Sequence, residues 1–153
     1  MRVCFIGHRA ISHAEDVMRL LKETVVNLID KGATTFLFGS MSAFNALSWQ
    51  VVTELKEKYP YMKRVYVRSA HPYISKAYET YLLTSYEETY FTKKVERAGK
   101  SSYVQRNAEM IDTSSYCVFY YNENYTPSKG NSGTKIAYEY AKKKKKDIIN
   151  LYT

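Results

Sequence analysis

Four short segments of this chain carry residue types that bind anions, and each follows a predicted element. They are Gly7-His8-Arg9, Gly39-Ser40-Met41, Arg68-Ser69 and Asn131-Ser132-Gly133-Thr134. Glycine and serine let a ligand come close to the backbone, and a helix that starts after such a turn presents N–H groups and a partial positive charge. Arginine adds a charge and a fork of donors that fits a phosphate. The pattern predicts a site for a phosphate-bearing ligand.

The second segment lies in the most informative stretch, residues 35–47. Its apolar run 36–38 has no helical period, which is typical of a parallel strand covered on both faces. A turn of small residues follows, and Leu47, Val51 and Leu55 then fall on one helical stripe. The stretch therefore predicts strand, turn and helix, with the anion site at the turn.

The rest of the chain repeats this unit. The apolar patterns predict strands at 3–6, 34–38, 63–67, 87–91, 115–121 and 148–151, and helices that start near Ser12, 42, 75, Ser102 and Gly133. Ser12-His13-Ala14-Glu15 and Ser102-Tyr103-Val104-Gln105 fit the capping-box pattern, and residues 93–100 read as a loop.

Alternating strands and helices predict one α/β domain over residues 1–153, with a mostly parallel sheet and helices on both faces. Because ligands of such sheets bind at the carboxyl ends of the strands, the four segments should meet at one edge. In particular, we expect Gly7, Gly39, Arg68 and Gly133 to line that edge.

The composition narrows the function classes. No stretch is long and apolar enough for a membrane span or a signal peptide, and Cys4 and Cys117 read as buried reduced thiols, so we expect a cytoplasmic protein. His13 and His71 have no partner spacing for a metal, and no catalytic triad is evident, so no metal site and no required cofactor are expected. The net charge of +8 includes a run of five lysines at 142–146, which suits a solvated helix end.

Tyrosine is unusually frequent, with 16 in the chain. Aromatic side chains are enriched in protein interfaces because they bury a large area at a small cost in entropy. We therefore predict a homo-oligomer, most simply a two-fold dimer, that buries part of the segment carrying Tyr78, Tyr81, Tyr86, Tyr90 and Tyr103.

Five motifs in order carry a family resemblance over nearly the whole chain: GHR, FGSMSAFNAL, KEKYP, QRNAEMIDTSSYCVFYY and GNSGTKIAYEYAKKKKKDIINLY. Together they resemble the SLOG superfamily, and within it the YpsA-like branch. The resemblance implies a Rossmann-like fold that binds nucleotides or nucleotide-derived ligands. Related branches include the LOG phosphoribohydrolases, which activate cytokinins, and the DNA-processing protein DprA.

The chain departs from those patterns at two motifs. The second motif is similar to GGAxGFDxxA, but Ser40 and Ala43 replace glycines and Asn45 replaces an aspartate. The last motif resembles the PGGxGTxxE loop of the phosphoribohydrolases and keeps Gly133-Thr134, but Ala137 stands at the glutamate. Because that glutamate is thought to assist glycosidic cleavage, the resemblance favours binding without turnover.

The sequence thus predicts a nucleotide sensor or binding module. Backbone N–H groups of 39–41 and 132–134 would hold phosphate or ribose, Arg9 would supply charge, and Phe44 or Tyr120 would stack on a base. Two alternatives stay open. One is a LOG-like nucleotide N-glycosidase, and the other is DprA-like binding of single-stranded DNA, which the charge of +8 motivates but the scattered basic residues and the terminal lysine run weaken. The candidate ligand-binding residues are Gly7, His8, Arg9, Gly39, Ser40, Met41, Phe44, Asn45, Arg68, Arg106, Ser132, Gly133 and Thr134.

Overall fold

Strands and helices alternate along the described chain. The computed structural model describes residues 1–40, 42–69, 72–91, 102–124 and 133–153. The elements are β1 Arg2–Gly7, α1 Ala14–Asp30, β2 Thr35–Phe38, α2 Ala43–Leu55, β3 Lys63–Arg68, α3 Lys76–Leu82, β4 Glu88–Phe91, α4 Ser102–Thr113, β5 Tyr116–Tyr120, α5 Gly133–Lys143 and β6 Asp147–Asn150.

All six strands are parallel, in the order β4-β3-β2-β1-β5-β6. The chain steps outward from β1 to β4 and then returns to the other side of β1, so the strand order reverses between β1 and β5. Gly7 and Tyr120 face each other where these two strands end. In open α/β sheets this switch point is where ligands bind.

The core has two layers, one on each face of the sheet. Val3 and Phe5 point toward a cluster that includes α1 and α2, while Cys4 and Ile6 point toward a cluster that includes α4 and α5. All four side chains are buried because both faces of the sheet are covered. The α/β, Rossmann-like architecture with helices on both faces is confirmed.

The strand exits meet at one edge, as predicted. Gly7 and Arg68 end β1 and β3, and Gly39 follows β2 directly. The helix α5 starts at Gly133 and leads to the start of the parallel strand β6, so Gly133 lies on the same side of the sheet.

The capping-box predictions for α1 and α4 were wrong about which residue caps the helix. His13, not Ser12, precedes α1, in the left-handed region (φ 58°, ψ 52°), and no side chain caps this helix. Histidine is among the residues that tolerate this region. The Ser12 hydroxyl lies 3.4 Å from that of Tyr120 instead. In the second case Ser102 is already the first residue of α4 rather than its cap.

Both cysteines are fully buried, as expected, and lie opposite each other on β1 and β5. A hydrogen bond with Cys117 and burial both raise the pKa of the Cys4 thiol well above its usual value. The Cys4 thiol is therefore held in the protonated state. In the described parts of the chain, no helix has the length and apolar character needed to cross a membrane. The loop predicted at 93–100 lies outside the described residues.

Candidate functional site

The turn after β2 is held by a network of side-chain hydrogen bonds. Ser42 caps α2, and its hydroxyl accepts from the Asn45 N–H at 3.1 Å and from the Ser40 hydroxyl at 3.0 Å. The Asn45 amide donates to the Phe5 carbonyl at 3.1 Å and accepts from the Gly39 N–H at 3.3 Å. The turn is therefore preformed. Asn45 and the Gly39 N–H, which we expected to contact ligand, instead support it.

Arg106 of α4 lies directly against Gly39. A Cβ at Gly39 would stand 2.8 Å from Arg106 Nε and 2.7 Å from Met110 Sδ, so only glycine leaves room for this side chain. Arg106 Nη1 donates to Ser69 Oγ at 3.2 Å, and Nη2 donates to Asn107 Oδ1 at 3.2 Å. One arginine thus joins α4 to the exits of β2 and β3.

The Arg106 charge has no acidic partner among the described residues. Its side chain is only 5% exposed, and both of its hydrogen-bond acceptors are neutral. None of the ion pairs within the described chain includes it. Burial lowers the pKa of Arg106, yet a guanidinium stays protonated at neutral pH. A buried, uncompensated cation is costly, and an anion placed beside it would recover that cost.

A second arginine, Arg68, stands at the end of β3. Its Nε is buried and has no hydrogen-bond acceptor among the described residues. Burial raises the pKa of the neighbouring Tyr66, and the charges of Arg106 and Arg68 partly offset that rise. Both cations therefore act on the same corner of the carboxyl edge.

At the switch point, His8 joins the exits of β1 and β5. Its imidazole Nε2 accepts from the Asn122 N–H at 2.9 Å, and the backbone N–H of His8 donates to the Tyr120 carbonyl at 3.3 Å. Burial lowers the pKa of His8, so the neutral ring is favoured. Because Nε2 must be unprotonated to accept, the ring proton lies on Nδ1. In this structure His8 is a structural link between two strand exits.

Gly7 and Phe44 form a second close contact. A Cβ at Gly7 would stand 2.5 Å from the Phe44 ring, which is fully buried and stacks on Tyr120 at 5.8 Å. Tyr120 is also buried. Neither ring has an open face for a base, so the stacking role that we expected of them does not fit this structure.

Arg9 is exposed at the exit of β1. Its carbonyl accepts from the Ala43 N–H at 3.0 Å, which ties this exit to the start of α2. Its guanidinium makes no hydrogen bond or ion pair with any residue that the structure describes. Arg9 is therefore placed to meet a ligand from solvent.

The start of α5 carries the candidate residues Gly133 and Thr134 and borders a cavity. Thr134 is buried, whereas Gly133 is exposed and a Cβ there would meet nothing within 4 Å. A cavity of about 290 Å³ lies between α4 and α5. It is lined by Val104, Gln105, Asn107, Ala108, Gly133, Ile136, Ala137 and Tyr140. Met41 and Ser132 lie outside the described residues.

No carboxylate stands at Ala137, which is buried. Glu139 is exposed, and Asp112 accepts from the Tyr140 hydroxyl at 2.8 Å. Across the described ranges, no three His, Cys, Asp or Glu side chains are grouped to hold a metal ion.

A family model, YpsA, described as the YspA SLOG family, matches residues 8–153. The chain belongs to this SLOG family. No curated protein matched it. The match covers every candidate residue except Gly7, and SLOG membership is consistent with a nucleotide-related function.

The list of candidate ligand-binding residues omitted three residues around Arg106: Asn107, Tyr103 and Ser69, which was named only as part of the segment Arg68-Ser69. Ser69 and Asn107 accept from Arg106, and the Tyr103 ring lies 5.5 Å from the Arg106 guanidinium carbon. Ser69 and Asn107 each adjoin a candidate arginine in sequence, which was the signal for them. For Tyr103, the sequence feature that could have identified it is its spacing, since it lies three residues before Arg106 on the same helix and so faces the same side.

Proposed function

We propose that this SLOG domain binds a nucleotide or nucleotide derivative at the carboxyl edge of its sheet, as a sensor or binding module. The observation that carries the proposal is Arg106, a buried guanidinium pressed against Gly39 with no carboxylate partner in the described chain. Its place at the strand exits is where α/β folds bind ligands.

A phosphate suits this corner better than a carboxyl side chain or a neutral group does. The planar guanidinium presents paired donors that match phosphate oxygens, and hydrogen bonds to charged groups are the strong ones. The buried Nε of Arg68 and the exposed Arg9 offer further donors to the same ligand. Because the arginines at this corner pair with no acidic side chain among the described residues, the corner should attract a multiply charged anion.

We further propose that the ligand is bound without glycosidic cleavage. General acid–base help contributes about two to four orders of magnitude to such a reaction. The buried Ala137 supplies no such group, and the exposed Glu139 lies elsewhere on α5. An N-glycosidase is therefore the alternative that the experiment must separate from simple binding.

The test is calorimetric titration with AMP, GMP, CMP and UMP, and with the matching nucleosides. We expect at least one monophosphate to bind more tightly than its nucleoside. Arg106→Met should weaken that binding by roughly 10- to 100-fold, because it removes a charge-assisted contact. The variant should stay folded, since replacing an unpaired buried charge with an apolar side chain is often neutral or stabilising.

Arg19→Met is the matched control. Arg19 is exposed on α1, where it pairs with Asp16 at 4.0 Å and Glu23 at 3.7 Å, so its loss should leave the affinity unchanged. Equal affinity for nucleoside and monophosphate, or no effect of Arg106→Met, would contradict the proposal. Release of free base, followed by chromatography of the same mixtures, would make the protein an N-glycosidase.

A further inference from the structure

Exposed tyrosines stand beside Arg106 and Arg68, neither of which forms an ion pair with a residue that the structure describes. Tyr103 and Tyr78 lie near the starts of α4 and α3 and are 63% and 44% exposed. Tyr103 lies against Arg106, and Arg106 donates to Ser69, the residue that follows Arg68. Both tyrosines and both arginines also influence the pKa of Tyr66, so the five residues share one corner of the carboxyl edge.

Of these tyrosines, Tyr103 lies beside Arg106 and keeps part of its ring exposed. It lies one turn before Arg106 on α4, and side chains three positions apart on a helix are about 5–6 Å apart. The guanidinium carbon of Arg106 is 5.5 Å from the ring centroid, so the arginine occupies one side of the ring. The exposed remainder of the ring is open to solvent. By contrast, Tyr78 is already stacked on Tyr81, with centroids 6.4 Å apart and planes at 22°.

An exposed ring beside an uncompensated cation complements one kind of molecule in particular. An apolar protein surface would cover Tyr103 but leave the Arg106 charge buried and unpaired, which is unfavourable. A flat base joined to a phosphate serves both groups, because the base stacks on the ring while the phosphate reaches the guanidinium.

We propose that Tyr103 is the platform for the base of the bound nucleotide, with the phosphate held by Arg106 and Arg68. This inference rests on the proposed function and adds the orientation of the ligand. Because Tyr103 and Arg106 lie on successive turns of α4, a mononucleotide is long enough for its base to contact the ring and its phosphate to contact the guanidinium. A purine, with its larger ring face, binds more tightly than a pyrimidine.

The test compares AMP with ribose 5-phosphate, which has the phosphate and no base. We expect the wild-type protein to bind AMP more tightly. Tyr103→Leu should weaken AMP binding roughly 5- to 100-fold, the range of one base–aromatic stack, and leave ribose 5-phosphate unchanged.

Two variants are the controls. Tyr103→Phe keeps the ring face and should retain the AMP affinity. Tyr61→Leu removes another tyrosine, 57% exposed and located before β3 at the opposite edge, and should change neither affinity.

The other outcomes separate this inference from the proposed function. If AMP and ribose 5-phosphate bind equally well, the phosphate site stands and the base platform is wrong. If Tyr103→Leu weakens both ligands equally, Tyr103 only positions Arg106, and the platform is again wrong. If neither ligand binds, both proposals fail. If a single-stranded oligonucleotide binds far more tightly than AMP and depends on Tyr103, the site is one for nucleic acid and not for a mononucleotide.

Discussion

Gly7, Gly39 and Gly133 were all predicted to contact the ligand, but they differ in how much space surrounds the Cα atom. A Cβ would collide with the Phe44 ring at Gly7 and with Arg106 and Met110 at Gly39, whereas at Gly133 it would meet open space. Among the described glycines only Gly32 has a positive φ, so the need for glycine at positions 7 and 39 comes from close packing.

Gly39→Ala should therefore be costly and Gly133→Ala should not. At Gly39 the new methyl displaces Arg106, so we expect a loss of about 1–3 kcal/mol in the free energy of unfolding and weaker nucleotide binding. At Gly133 the methyl fits, and the restricted unfolded chain should add about 0.4–1 kcal/mol. Urea denaturation of both variants measures the difference, and equal costs at the two positions would refute the packing argument.

At the scale of elements, the exits of β1 and β5 are tied by a neutral histidine. His8 accepts from the Asn122 N–H at 2.9 Å, and protonation at Nε2 would abolish that hydrogen bond. Burial lowers the His8 pKa in the folded protein, while the unfolded chain titrates near pH 6.5. The unfolded state thus binds more protons between the lowered pKa and about 6.5.

The free energy of unfolding should therefore fall as the pH drops below about 6.5 and level off under the lowered His8 pKa. Above pH 6.5 this residue adds no pH dependence. His8→Gln keeps an acceptor that does not titrate, so it should flatten the curve in this window. Denaturation of the wild type and His8→Gln between pH 5 and 8 measures the effect. His13→Asn, which replaces an exposed histidine, is the control. If it flattens the curve equally, the pH dependence does not come from His8.

At the scale of the whole molecule, the tyrosine segment divides into two groups. Tyr86 and Tyr90 pack partly against the chain's own core, and burial raises the pKa of Tyr86 to about 12. Tyr78, Tyr81 and Tyr103 are exposed. Only this second group can serve an interface, so the dimer prediction narrows to the outer face of α3, where Tyr78 and Tyr81 stack.

Light scattering at micromolar concentration should report a dimer. Tyr81→Arg places a charge in the predicted contact and should yield monomers, whereas Tyr61→Arg, at the opposite edge of the sheet, should not. A wild-type monomer would contradict the prediction, and a dimer that survives Tyr81→Arg would move the interface elsewhere.

The lysine run lies at the far end of the molecule from the candidate site. α5 ends at Lys143, where the chain turns toward the start of β6, at the amino edge of the sheet. Lys142 and Lys144 lie over tyrosine rings, and Lys146 Nζ donates to the carbonyls of Asp112 and Ser114. Much of the net charge therefore adds nothing to the carboxyl edge.

Local sequence patterns were enough to predict the helices and strands and the edge of the sheet at which the strands end. Apolar runs such as 36–38 and helical stripes are local signals, and the rule for parallel crossovers turns their order into a sheet with its exits on one side. The four segments predicted to bind an anion could be assigned to the strand ends in this way from the sequence alone.

Which of those residues are buried and which are exposed depended on packing across the fold. The spacing of Val104, Ala108 and Ile111 predicts that these three side chains face inward from α4. The residues that α4 buries are instead Arg106, Met110 and Ile111. The rotation of a helix depends on what it packs against, and here the bare backbone of Gly39 accepts an arginine. Contacts between residues 39 and 106 are set by packing across the fold, so no local pattern in the chain contains them.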